Sequence, residues 1–98
     1  MKPEHNEEYE NFTQILGGNL KFIRLKNYKP QKSLAFALGV SHQNVQKYES
    51  GEIVPGAFRL KKIAEFYGVK TDDLISPTYI YEQTKENEPL SRSMNVNN

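Results

Sequence analysis

Over residues 41–48 the chain reads SHQNVQKY, and this run holds the side chains with the most hydrogen-bonding capacity to spare. Wound as an α-helix at about 100° per residue, it places Ser41, Val45 and Tyr48 on one side. His42, Gln43, Gln46 and Lys47 fall on the opposite side, with Asn44 at the flank. Surface helices usually present Glu and Lys to water; this one presents amides, an imidazole and a lysine, with no acid before Glu49. An amide offers a donor and an acceptor in one plane, which the major-groove edge of adenine accepts bidentately, while lysine reaches guanine or phosphate. The chemistry these residues suit is recognition of base edges.

Catalytic chemistry has little to work with. Cysteine is absent, and the two histidines, His5 and His42, stand far apart in the chain. No carboxylate cluster or glycine-rich phosphate loop appears, since Gly17 and Gly18 fall inside a helical pattern. His5 beside Glu4 and Glu8 reads as a solvated cluster in a tail rather than a metal site. No enzyme, metal, cofactor or small-molecule ligand is expected.

A helix that holds its polar face outward needs neighbours that fix its other face. Residues 31–51, QKSLAFALGVSHQNVQKYESG, read as two short helices joined by a tight turn. Such a pair needs a small residue where the backbones approach, and Ala35 stands there; the turn needs a residue with positive φ, and Gly39 stands four positions later. Leu34, Leu38, Val40, Val45 and Tyr48 supply apolar anchors. Pro30 suits the first turn of the leading helix, where its missing N–H is no loss, and Ser41 suits the cap of the second.

Flanking elements follow from periodicity. A first helix is expected from about Asn11, with Gln14 completing a box-like pair and Ile15, Leu16, Leu20 and Ile23 at helical spacing. Gly17 and Gly18 weaken it by up to about 2 kcal/mol, which leaves open a start only after them. A fourth helix spans about residues 57–67, with Leu60, Ile63, Ala64 and Tyr67 on one face and Gly68 as its stop. Thr71 is expected to cap a short fifth helix carrying Leu74 and Ile75, with Asp72 and Asp73 in its first turn. This gives an all-α domain of five short helices over residues 12–76. A flexible acidic tail precedes it over 1–11. Residues 77–98 are expected to lack structure for the most part and to include a possible dimerisation segment.

Charge is distributed to match. Residues 12–75 carry ten Lys or Arg against five Asp or Glu, while residues 1–11 carry one Lys against four Glu, and residues 76–98 two basic against three acidic side chains. A basic middle between acidic ends suits a polyanionic partner. The most apolar stretch, LAFALGV, is far shorter than the roughly 18 residues a membrane span needs, and the acidic start is no signal peptide. A soluble, cytoplasmic chain is expected.

In register, these features resemble the Cro/C1-type helix-turn-helix domains of phage repressors and bacterial regulators, the XRE family. The resemblance covers about residues 15–76: LKFIR, the QKSLAFALGVSHQNVQKYESG core, PGAFRLKKIAEFYGV and TDDLI. It implies a five-helix, lambda-repressor-like DNA-binding domain whose third helix enters the major groove of double-stranded DNA. Carried over by position, it makes His42, Gln43, Gln46 and Lys47 the base-contacting residues. It makes Gln31 a contact to phosphate, and Lys32, Asn44 and Lys29 are expected to add phosphate contacts beside it. Leu34, Ala35, Leu38, Gly39, Val45 and Tyr48 frame the motif, and Arg24 and Glu49 form a charge pair between helix one and the end of helix three. The chain departs from the pattern at Pro30, where a Ser or Thr cap is usual, and at Glu52-Ile53-Val54, where the loop is commonly basic. The acidic loop leaves mainly backbone N–H groups for phosphate there.

Small modules of this kind bind as two-fold dimers on half-sites about 34 Å apart, so a homodimer on a two-fold operator is expected, acting as a repressor-like transcription regulator. Leu74, Ile75, Tyr79, Ile80 and Tyr81, joined by Phe58 and Phe66, are one candidate dimer surface. The opposing expectation is that Phe66 packs under helix five and residues 79–81 fold back on their own domain. The acidic loop and tail keep a second class in view, a protein-interaction module of antitoxin or anti-repressor type built on the same fold.

Overall fold

A computed structural model of the chain describes residues 6–86. Six helices follow in order: α1 (Glu7–Lys26), α2 (Gln31–Leu38), α3 (His42–Ser50), α4 (Ala57–Tyr67), α5 (Thr71–Ile75) and α6 (Tyr79–Glu86). No strand occurs among the described residues. His5 and the first residues of the acidic tail lie outside them, as does the stretch 87–98.

The first helix starts at Glu7, four residues before the expected Asn11. Apolar periodicity gives no sign of this turn; it is held by its cap and its charge. The Asn6 side chain accepts hydrogen bonds from the N–H groups of Glu8 (2.7 Å) and Tyr9 (3.2 Å), and Glu7, Glu8 and Glu10 stand where the helix dipole favours negative charge. The helix then runs unbroken through Gly17 and Gly18. A Cβ at Gly17 would lie 2.5 Å from the carbonyl oxygen of Glu49 and 2.9 Å from that of Tyr48. The glycine therefore lets the backbones of α1 and α3 meet, whereas Gly18 faces open space.

Leu16, Leu20 and Ile23 of α1, Leu34 and Ala35 of α2, and Val45 and Tyr48 of α3 form one core with Ile63, Ala64 and Tyr67 of α4 and Leu74 of α5. Gly39 ends α2 at φ 70°. The Val40 N–H then bonds back to the Ala35 carbonyl at 3.0 Å, and α3 opens with the Ser41 hydroxyl accepting from the Asn44 N–H at 3.1 Å. The turn that aims α3 is thus built from the residues expected to build it.

Four local features differ from expectation. Pro30 is the residue before α2 rather than inside its first turn, and it supplies no side-chain cap. Helix α3 continues to Ser50 and so includes Glu49. Thr71 is the first residue of α5 and not its cap: Lys70 holds that position, and its N–H donates to Asp73 Oδ2 at 3.0 Å. Finally, residues 79–86 form a sixth helix in what reads as tail. Its apolar start finds a partner in α1, where Tyr79 meets Phe22 edge-on at 6.2 Å and Lys26 Nζ donates to Gln83 Oε1 at 3.1 Å. Asn19 joins the two ends of the domain: buried in α1, its Nδ2 donates to the carbonyls of Leu74 (3.0 Å) and Ser76 (2.9 Å) at the end of α5.

Candidate nucleic-acid interface

Helix α3 is anchored by Val45 and Tyr48, at 0% and 2% exposure, so its remaining faces are set. Gln43, Gln46 and Lys47 are exposed, and His42 and Asn44 are half-buried. The side chains of Gln43, Asn44, Gln46 and Lys47 have no hydrogen-bond or ion-pair partner among the described residues. A row of amides left unpaired on a rigid helix keeps its hydrogen-bonding capacity for a ligand.

His42 is different, because it closes a polar chain that crosses three helices. Arg24 of α1 meets Glu49 of α3 in a fork, Nε to Oε2 at 2.6 Å and Nη2 to Oε1 at 3.0 Å. The two side chains retain only 12% and 5% exposure. Hydrogen bonding to Glu49, ahead of the opposing effect of burial, raises the Arg24 guanidinium above its ordinary pKa. Gln31, the first residue of α2, donates from Nε2 to Glu49 Oε1 at 3.0 Å, and its Oε1 lies 2.9 Å from His42 Nε2. The expected Arg24–Glu49 pair is present, and its extension to Gln31 and His42 has no counterpart in the spacing of these residues.

The other expected contacts lie around this chain. Lys32 is exposed at the start of α2. Because Pro30 provides no cap, the N–H groups of Gln31 and Lys32 have no acceptor among the described residues, and they sit at the positive end of the helix dipole. Lys29 is turned elsewhere, its ammonium 5.4 Å from the centre of the Phe66 ring. Leaving that ring costs about 0.5–1 kcal/mol. A cleft of about 530 Å³ opens beside Gln31, Gln46 and Glu49, and Lys21 of α1 lines it. Sequence periodicity set Lys21 outside the apolar stripe without linking it to the motif.

In the acidic loop after α3, the N–H groups of Glu52 and Ile53 are already bonded to the Lys47 carbonyl at 3.0 and 3.4 Å. The free backbone donors lie a few residues later. Gly56 gives α4 no side-chain cap, so the N–H groups of Ala57, Phe58 and Arg59 are without acceptors among the described residues.

A two-helix turn at Gly39 with an outward polar second helix defines the class, and comparison with known proteins agrees. A helix-turn-helix family model matches residues 20–74, more than half of the chain. The chain belongs to the Cro/C1-type helix-turn-helix family, a family of DNA-binding transcription regulators. It is 40% identical over 63 residues to an uncharacterised HTH-type transcriptional regulator of Methanocaldococcus jannaschii, covering 64% of this chain and 89% of that one. It is also 34% identical over 65 residues to an uncharacterised HTH-type regulator from the SPbeta prophage of Bacillus subtilis, covering 66% of this chain and 60% of the relative. No solved structure matches the chain significantly. Among the described residues, no helix is long and apolar enough to cross a membrane.

Proposed function

We propose that the protein is a sequence-specific, repressor-like regulator that reads the major groove with α3 and binds its operator as a homodimer. The observation that carries this reading is the unpaired face of α3: Gln43, Gln46 and Lys47 exposed and unpartnered over a fully buried anchor. Gln43, Gln46 and Lys47 read bases together with His42. Phosphates on one side meet the spare Gln31 N–H, the uncapped start of α2, Asn44, Lys32 and Lys21, with Lys29 joining once it leaves Phe66. On the other side, the free N–H groups at the start of α4 and Arg59 take the place of the basic loop that Glu52 replaces. Phosphate contacts fix the orientation, and base contacts select the sequence.

Dimerisation uses what the domain leaves uncovered. Of the candidate dimer surface, Leu74 and Tyr79 are buried within the protomer and Ile75, Ile80 and Phe66 half-buried, which leaves Tyr81 at 64% exposure and Phe58 at 70%.

The acidic Glu52 loop favours the second reading, a protein-interaction module on the same fold. Salt separates the two. Neutralising about four phosphates per protomer predicts that affinity for a random duplex falls roughly a hundredfold for a single protomer, and roughly ten-thousandfold for a dimer, between about 50 and 200 mM salt. A protein-interaction module shows no duplex binding even at the lowest salt.

A further inference from the structure

We infer that Glu49, acting through Gln31, fixes the hydrogen-bonding polarity of His42, so that the neutral imidazole meets DNA as an acceptor at Nδ1 and selects a base bearing an exocyclic amino group. This rests on the DNA-reading role proposed above and assigns the specificity of one position within it.

The polarity follows from atoms that have no choice. Both Glu49 carboxylate oxygens accept from the Arg24 guanidinium, so this side chain offers only acceptors. The Gln31 atom 3.0 Å from Glu49 Oε1 must therefore be its NH₂. The opposite amide orientation would set a carbonyl oxygen against a carboxylate that is only 5% exposed, where little water screens the repulsion. With NH₂ facing Glu49, Gln31 Oε1 faces His42 Nε2 at 2.9 Å. A carbonyl oxygen can only accept, so Nε2 carries the proton. A neutral imidazole has one N–H, which leaves Nδ1 as a bare lone pair, and Nδ1 has no partner among the described residues. In the major groove a bare acceptor pairs with adenine N6 or cytosine N4, and meets lone pairs at guanine N7 and O6. Gln31 is thus a positioning residue, and the preference it imposes is not visible in the identity of His42 alone.

Two measurements on the full chain test this. Imidazole ¹⁵N shifts of the free protein, with His5→Gln to assign the signals, are expected to show one tautomer of His42, protonated at Nε2. In Gln31→Leu, which leaves the Arg24–Glu49 pair intact, a mixture of tautomers is expected. A mixture in the unsubstituted protein overturns the inference. For DNA, the probe is a selected duplex in which the base whose preference disappears in His42→Ala is replaced by an analogue lacking its exocyclic amino group. The unsubstituted protein is expected to bind this analogue about tenfold more weakly, the size of one hydrogen bond. Gln31→Leu is expected to bind both duplexes alike, at whatever overall affinity it retains. A guanine preference at that position, or discrimination that survives in Gln31→Leu, overturns the inference and leaves DNA reading standing. Failure to select any duplex overturns both.

Discussion

The Tyr67 hydroxyl is a buried group that nothing answers. It has no hydrogen-bond partner among the described residues, while its ring sits in the core at 7% exposure. Burial first, and then the nearby Glu49 carboxylate, push its pKa from 10.0 up to about 12. Removing an unsatisfied polar atom while keeping the ring is neutral or stabilising, so Tyr67→Phe is expected to hold or raise stability by up to about 1 kcal/mol at neutral pH. The pH dependence has a definite sign. The folded state keeps the phenol proton where the unfolded chain has lost it, so stability is full below pH 10 and falls as the pH rises toward 12. A shift of this size is worth about 2–3 kcal/mol. Chemical denaturation at pH 9 and pH 11.5 checks it: the unsubstituted protein is expected to lose more stability across that interval than Tyr67→Phe, and equal losses contradict the assignment. The bonds from Asn19 to the end of α5 and from Gln31 to Glu49 and His42 are long-range polar contacts that no periodicity encodes; the sequence marks Gln31 only as a phosphate contact and Asn19 not at all. The exposed polar face of α3 is legible because amides without acids are unusual on a surface helix.

At the scale of elements, the sequence announces what repeats and hides what is held by charge or by a single partner. Gly39, Ser41 and Gly68 marked their turns correctly because left-handed turns and caps restrict residue type. The first turn of α1, without an apolar stripe, and α6, which needs Phe22, gave no such signal. The two glycines of α1 separate propensity from packing. Gly18→Ala meets open space and is expected to stabilise the protein by about 0.5–1 kcal/mol through helix propensity alone. Gly17→Ala gains the same propensity but drives a methyl group into the Glu49 and Tyr48 carbonyls, with an expected net destabilisation of about 1–3 kcal/mol. Thermal melts of the two variants should shift in opposite directions; equal shifts would show that α1 and α3 are not in backbone contact. Because that contact sets where α3 ends, Gly17→Ala is also expected to disturb the Glu49–Gln31–His42 chain.

For the whole molecule, the arrangement divides labour between a core that fixes one helix and a face that this helix leaves unpaired. Helices α1 and α2 pack against α3 and bury Val45 and Tyr48 in the core that α4 and α5 complete. The starts of α2 and α4 leave backbone donors without acceptors among the described residues, and basic side chains outnumber acidic ones over residues 12–75. Whether the exposed amides of α3 read base sequence is answered most directly by selection of bound sequences from a random duplex pool. The unsubstituted protein is expected to enrich a defined half-site repeated with two-fold symmetry about 34 Å apart. Gln43→Ala is expected to enrich the same site with preference relaxed at one position per half-site, at a cost of roughly 1–3 kcal/mol for the original base. Absence of any enriched sequence, or uniform weakening by Gln43→Ala with every base preference intact, would contradict the account.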